Sequence, residues 1–144
     1  MTTLIRKIVQ DSLDVKQELL ADDRLISLIA EISNIICNAF KTGNRVYFCG
    51  NGGSAADAQH LAAEFSGPFY NRGRRALPAE ALHCNTSYLT AVANDYDYNS
   101  VYARLVEGIM EAGDILIGLS TSGNSGNVVR LLKQPVQRVS LPLE

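Results

Sequence analysis

The chain has 144 residues, of which 47% are hydrophobic and 19% are charged, and its formal net charge is −2. This length and composition predict a single folded domain with a sizeable core, and the balanced charge, without a cluster of Lys and Arg, argues against nucleic acid as the main ligand. The N-terminus does not resemble a signal peptide and no apolar run approaches the roughly 20 residues that a membrane span requires, so we expect a cytoplasmic protein without a membrane partner.

Two helices are predicted at the N-terminus, over residues 1–42. Apolar residues recur there at helical spacing from Leu4 to Phe40, and the pattern breaks near Ala21-Asp22-Asp23, where an Asp can cap the second helix. The apolar content of this pair is high for the start of a small domain. We therefore expect the two helices to pack against a sheet and against another subunit, which makes the protein an oligomer.

Residues 43–132 alternate between short apolar runs and helical patterns. The predicted strands are Arg45–Cys49, Ala79–His83 and Asp114–Ser120. The predicted helices are Ser54–Phe65, Ser87–Val92, Ser100–Met110 and a short one that starts near Asn124 and ends at Leu132. This alternation indicates an α/β fold in which helices cover a parallel sheet and ligands gather at the carboxyl ends of the strands.

The cysteines and one of the histidines are interpreted as structural residues. Cys37, Cys49 and Cys84 follow no metal-binding or redox spacing, and we expect them to be reduced. His83 lies at the predicted end of a strand, away from any other residue suited to catalysis. We therefore do not count the cysteines or His83 among the candidate functional residues.

A glycine-rich turn, Cys49-Gly50-Asn51-Gly52-Gly53-Ser54, joins the first predicted strand to a helix. Glycines let the backbone turn tightly and approach a ligand closely, and the first turn of a helix offers unpaired N–H groups. The turn is therefore predicted to contact an anionic substrate. It matches neither of the common nucleotide-binding glycine motifs, so we expect no nucleotide.

A second polar turn, Ser120-Thr121-Ser122-Gly123-Asn124-Ser125, follows the third predicted strand. A helix cap needs one hydroxyl, whereas this turn has four in six residues. Hydroxyls and backbone N–H groups that converge without a lysine suit a phosphate monoester better than a triphosphate. The turn is the better candidate for a phosphate site, and a cap with a plain turn is the alternative.

Two acid/base candidates lie on the helix after the glycine turn. His60 and Glu64 are spaced i, i+4, which makes them neighbours on the helix surface. They face away from the predicted apolar stripe, which consists of Ala58, Leu61, Ala62 and Phe65. Such a pair can share a proton, coordinate a metal or act on a bound substrate, but it is also typical of a solvated helix face.

Asn94 and Asp95 lie in a predicted polar turn, residues 94–99, after the second strand. Their side chains can bind the hydroxyl groups of a sugar. A plain Asx turn explains the same residues equally well.

Together these motifs resemble the sugar isomerase (SIS) domain family, and most closely its bacterial phosphoheptose isomerases. The resemblance covers residues 1–132 and rests on the two turns, Asp57-Ala58-Gln59-His60, Glu64 and Ala93-Asn94-Asp95. It implies a flavodoxin-like, three-layer sandwich with a parallel sheet, and a homotetramer with active sites between subunits. It also implies the isomerisation of sedoheptulose 7-phosphate to D-glycero-D-manno-heptose 7-phosphate through an enediol, a step in lipopolysaccharide precursor synthesis.

The resemblance further implies roles for individual residues. Glu64 matches the family's acid/base carboxylate, and His60 is the second catalytic candidate. His60 and Glu64 also match two of the ligands where family members bind zinc, one ion per subunit. The implied substrate contacts are Glu64, the turn residues Asn51, Gly52, Gly53 and Ser54, the polyol-binding residues Asn94 and Asp95, and the phosphate-binding residues Ser120, Thr121, Ser122 and Ser125.

Residues 133–144 depart from the family pattern. Family members continue through two further strands and a long helix with a Gln and a His of the site, so we expect a chain that is truncated at its C-terminus relative to the family. Its tail is divergent, and residues 136–143 are compatible with a fourth strand. Two alternatives to an enzyme follow: a non-catalytic SIS protein that binds a partner such as a replication initiator, and a sensor of sugar phosphates.

Overall fold

The structure is a computed structural model that describes residues 1–67 and 70–133. It divides into two compact units, one of residues Met1–Cys37 and one from Asn38 onward. The first unit contains helix α1, Thr2–Ala21, and most of helix α2, Asp23–Lys41. The Asp22 carboxylate accepts a 3.0 Å hydrogen bond from the Leu25 N–H, which confirms the predicted break and its capping Asp. Within the described residues, no helix is both long and apolar enough to cross a membrane.

The second unit is built on a parallel sheet. Its described strands are β1 (Val46–Cys49), β2 (Ala79–Ala81) and β3 (Ile115–Gly118), in the order β2-β1-β3. Val46 aligns with Ala79 on one side and with Ile115 on the other. All of β1 is buried, as expected for a central strand with helices on both faces.

The helices of this unit cover both faces of the sheet. Tyr47 and Cys49 pack into a buried cluster with residues of the helices that follow β2 and β3. Phe48, on the opposite face of β1, stacks on Phe65 at a centroid distance of 5.9 Å. The described helices are α3 (Gly53–Ser66), α4 (Thr86–Asp95), α5 (Val101–Ile109) and α6 (Gly126–Leu132), with a 3-10 turn at Tyr98–Ser100. The predicted three-layer α/β class is therefore confirmed.

Several element limits differ from the prediction. β2 ends at Ala81, two residues before His83, and α4 continues to Asp95 instead of ending at Val92. Asn94 and Asp95 thus form the last turn of a helix, because the helix continues into a backbone hydrogen bond from Tyr96 to the Val92 carbonyl. At Asn94 and Asp95, helical hydrogen bonding therefore outweighs the local preference for an Asx turn. The predicted fourth strand lies outside the described residues.

Burial varies within the apolar stripe of α3 and among the three cysteines. Leu61 is 38% exposed, because it lies at the edge of the α3 stripe whose centre is formed by Ala58 and Ala62. Cys49 is buried, and burial raises its pKa to about 12, but Cys37 and Cys84 are exposed. All three thiols are free, as predicted.

Candidate functional site

The glycine turn after β1 is held close to the helix that it starts. A Cβ on Gly50 would lie 2.6 Å from the Ser54 carbonyl carbon, so this position requires glycine. The Tyr102 hydroxyl donates to the Gly50 carbonyl, and the Ser54 N–H donates to the Asn51 carbonyl. Gly52 has a φ of +55° and open space where a Cβ would point. The turn is rigid on its inner side and open to a ligand on its outer side.

The serine turn after β3 brings two of its four predicted phosphate-binding hydroxyls together. Ser120 Oγ and Ser125 Oγ are 3.1 Å apart. Ser122 Oγ accepts a hydrogen bond from the Asn124 N–H, so part of its capacity serves the turn itself. Thr121 is exposed on the same turn. The arrangement is compatible with an anion near Ser120 and Ser125.

The two turns are joined by a pair of side-chain amides. Asn51 Nδ2 donates to Asn127 Oδ1, and Asn127 Nδ2 donates to Asn51 Oδ1, each at 2.8 Å. Asn127 is 2% exposed and lies in the first turn of α6. Asn127 was not among the predicted site residues, although a polar residue next to the buried face of a short helix is a usable signal for a buried hydrogen bond.

The segment after α4 contacts the glycine turn and helix α6, which follows the serine turn. The Tyr98 hydroxyl donates to Asn51 Oδ1 at 3.2 Å, and a Cβ on Gly126 would collide with the Asn99 side chain. The Asp97 carboxylate accepts from Ser100 Oγ at 2.7 Å and faces Arg130 at 3.4 Å. The Ser100 hydrogen bond, assisted by Arg130, lowers the pKa of Asp97. These contacts bring the end of α4 to the same edge of the sheet as the turns.

Asn94 and Asp95 therefore lie close in sequence to a segment that contacts the glycine turn and the start of α6. Asn94 Nδ2 donates to Asp95 Oδ1 at 2.9 Å, and both side chains are exposed. They are available to a ligand at the carboxyl edge of the sheet. Their role as polyol contacts stays a prediction.

His60 and Glu64 form the predicted pair, with His60 Nε2 3.5 Å from Glu64 Oε1. The side chains are 75% and 33% exposed, respectively. Glu64 lies 11 residues after Gly53, which is about 16 Å along the axis of α3. The carbonyl of the next residue, Phe65, accepts from the Leu77 N–H just before β2 begins. Glu64 is thus at the amino edge of the sheet, and one chain does not bring it beside the two turns.

The pair supplies too few donors for a complete metal site. A separation of 3.5 Å is compatible with two ligands of one tetrahedral ion. A zinc site usually takes at least three protein ligands, and the part of the chain that the structure describes contains no group of three or more His, Cys, Asp or Glu placed for a metal. His60 and Glu64 therefore do not form a zinc site by themselves.

His83, the other histidine, has a buried Nδ1 without a hydrogen-bond partner among the described residues. Burial lowers its pKa, which favours the neutral imidazole.

Arg74 fixes the end of α3 that carries Glu64, and the sequence analysis missed it. Its guanidinium donates to the backbone carbonyls of Glu64 at 3.0 Å and Phe65 at 2.8 Å, and also to that of Gly67. The last carbonyls of a helix lack partners within the helix. Arg74 supplies those partners, so the position of the Glu64 backbone depends on a residue in the following loop.

Replacing Arg74 with Met is expected to lower the free energy of unfolding by about 2–3 kcal/mol, because several carbonyls lose a charged donor. A urea titration followed by circular dichroism measures the change. Arg72→Met is the control, since Arg72 is exposed in the same loop, and it is expected to change the value by less than about 0.5 kcal/mol. Equal effects of the two substitutions would contradict the role of Arg74.

A family model described as SIS domain matches residues 14–138. The phosphoheptose isomerase of Clostridium acetobutylicum is 46% identical over 134 residues, which cover 93% of this chain and 68% of that protein. The phosphoheptose isomerase of a Synechocystis strain is 54% identical over 112 residues, covering 78% of this chain and 57% of the relative. The chain thus spans 57–68% of the length of these two relatives.

Solved structures share the fold. The phosphoheptose isomerase of Neisseria gonorrhoeae matches with a TM-score of 0.82 and 37% identity, over 92% of this chain and 67% of that one. The one from Francisella tularensis matches with a TM-score of 0.85 and 30% identity, over 92% and 69% of the two chains. These similarities agree with the resemblance seen in the motifs.

Proposed function

The chain belongs to the SIS domain family and, within it, to the phosphoheptose isomerases, and from this membership we propose that it interconverts sedoheptulose 7-phosphate and D-glycero-D-manno-heptose 7-phosphate. The observation that carries the proposal is the pairing of the two turns. The serine turn has the hydroxyls for a phosphate, and the open glycine turn is tied to it through Asn51 and Asn127. A phosphorylated sugar is a ligand that suits both turns at once.

The reaction moves one proton between neighbouring carbons. The Glu64 carboxylate removes a proton from C1 of the ketose while O2 gains a proton, which gives an enediol. A proton is then returned to C2 while O1 loses one, which gives the aldose. The phosphate at the distant end supplies binding energy that holds C1 and C2 in place for this transfer.

We further propose that the acid/base residues reach the turns from a second copy of the chain. Within one chain, Gly53 and Glu64 lie about 16 Å apart along the axis of α3, toward opposite edges of the sheet. Helix α1 also leaves much apolar surface uncovered. Its exposed apolar residues include Leu4, Ile5, Ile8, Val9, Leu13 and Leu20. Both features support a homo-oligomer, and the family resemblance supports a tetramer.

Mixing two inactive variants is expected to restore activity if sites form between copies. Glu64→Gln and Ser125→Asp chains, coexpressed in equal amounts, should recover about one quarter of the wild-type rate per site, since random assembly pairs an intact turn with an intact Glu64 in that fraction of sites. Sites within single chains would recover no activity, because every chain has one defect. Steady-state turnover of the purified mixture separates the two outcomes.

The remaining assignments rest on the family resemblance. We propose a cytoplasmic enzyme whose product serves heptose and lipopolysaccharide precursor synthesis. A zinc ion at His60 and Glu64 would need donors from another subunit or from residues outside the described part, and no step above depends on it.

The activity is tested by incubating the full chain with sedoheptulose 7-phosphate and following the C1 and C2 signals by NMR, with binding measured in parallel by calorimetry. Formation of the aldose phosphate supports the proposal. Binding without turnover would instead identify a sensor of sugar phosphates, and the absence of both would leave a protein that binds a partner.

A further inference from the structure

The Asn51–Asn127 pair connects two turns that the sheet itself does not connect. The last described backbone hydrogen bond between the β1 and β3 segments runs from the Leu119 N–H to the Cys49 carbonyl. Beyond it, each turn leaves the sheet into its own helix. The two amide hydrogen bonds of 2.8 Å lie past that point and join residues 76 positions apart in the chain.

The hydrogen-bonding capacity of the pair is almost fully used. An amide oxygen has two lone pairs. Asn51 Oδ1 accepts from Asn127 Nδ2 and from the Tyr98 hydroxyl, and Asn127 Oδ1 accepts from Asn51 Nδ2 and from the Val128 N–H. Neither oxygen has a lone pair left for a sugar hydroxyl. The Asn51 side-chain carbonyl oxygen is therefore engaged by the protein, whereas Nδ2 donates only one of its two N–H groups and keeps the other for a ligand.

We propose that Asn51 and Asn127 are a positioning pair that fixes the spacing between the glycine turn and the serine turn. This inference rests on the proposed function, in which the serine turn holds the phosphate and the glycine turn contacts the sugar chain. A misplacement of about 1 Å between bound groups costs on the order of 100-fold in rate. Because Asn127 is buried, loss of either amide leaves the other with unpaired polar atoms and frees the two turns to separate.

A double-mutant cycle tests the pair in the full chain. We expect Asn51→Ala and Asn127→Ala each to lower kcat by about 10- to 100-fold. The kcat of the double variant should be no lower than that of the less active single variant, since either change removes both hydrogen bonds. The affinity for inorganic phosphate, which we expect to bind at the serine turn alone, should change less than about threefold. Losses in kcat that multiply in the double variant would overturn the proposal.

Asn44→Ala is the matched control. Asn44 Nδ2 donates to the Ala112 carbonyl at 3.1 Å and so joins the segments that precede the same two strands, at the opposite edge of the sheet. It loses a comparable cross-strand bond and is expected to keep kcat within about twofold of the wild type. A loss equal to that of Asn51→Ala would mean that general destabilisation explains the effect.

Hydrogen exchange separates failure of this inference from failure of the proposed function. In the unliganded protein, Asn51→Ala is expected to raise backbone amide exchange in residues 120–126, and Asn127→Ala to raise it in residues 50–54. If amide exchange rises only in the turn that carries the substitution, the proposal is overturned. This readout holds whether or not the wild type turns over sedoheptulose 7-phosphate.

Discussion

Glu64→Gln is expected to reduce turnover of sedoheptulose 7-phosphate by about 100- to 10,000-fold while the substrate still binds. General acid/base groups contribute roughly 10²- to 10⁴-fold to a rate, and an amide of the same shape cannot take up a proton from C1. The substrate should bind with affinity close to that of the wild type, because the phosphate contacts at the serine turn are unchanged. Kinetic measurement of kcat, with calorimetry for the dissociation constant, tests both parts.

Glu107→Gln is the control for this prediction. Glu107 is exposed on α5, and its loss of charge should leave kcat within about twofold of the wild-type value. Turnover by Glu64→Gln at a normal rate would remove Glu64 from the mechanism. Loss of both turnover and binding would indicate that Glu64 acts in binding and not in proton transfer.

Ser125→Asp is expected to raise the dissociation constant for sedoheptulose 7-phosphate by at least about 100-fold. Ser125 is the N-cap residue of α6 but makes no side-chain capping hydrogen bond, so its replacement by Asp, a favoured N-cap residue, should keep the fold. A new carboxylate about 4 Å from a phosphate costs roughly 4 kcal/mol per pair of charges at an effective dielectric constant near 20. Calorimetric titration measures the loss.

Ser125→Asn isolates the contribution of charge. Asn has the shape of Asp and caps helices equally well, but it adds no charge. We expect it to weaken binding by about tenfold or less, through loss of the hydroxyl that lies 3.1 Å from Ser120 Oγ. Equal effects of Asp and Asn would argue against a phosphate at this turn. A thermal melt of both variants checks that the fold is retained.

Local features of the site were predictable from the sequence. The i, i+4 spacing of His60 and Glu64 places them together on any helix, and the structure shows them 3.5 Å apart. The strand-turn-helix pattern around Gly50 likewise has a local cause, since glycines permit a backbone approach that a Cβ would block. Residues only a few positions apart are related by the geometry of one element.

The end of α4 and the contacts of Arg74 could not be predicted from neighbouring residues alone. The Asn94-Asp95 pair favoured a turn, but continued helical hydrogen bonding carried α4 through both residues. Arg74 lies in the loop between α3 and β2, and no sequence motif marks it. Its partners are carbonyls at the end of α3, and the guanidinium reaches them only when the loop after α3 folds back onto that helix.

The sequence by itself determined the α/β class, the two polar turns at strand ends and the His60–Glu64 pair, because each depends on periodicity or on spacing within a few residues. The family was indicated by the resemblance of the combined motifs. Only the tertiary structure decided that Asn51 pairs with Asn127 and that α3 carries Glu64 away from both turns. The first depends on the strand order β2-β1-β3, which makes the ends of β1 and β3 neighbours. The second depends on the length and direction of a helix that starts at one edge of the sheet and ends at the other.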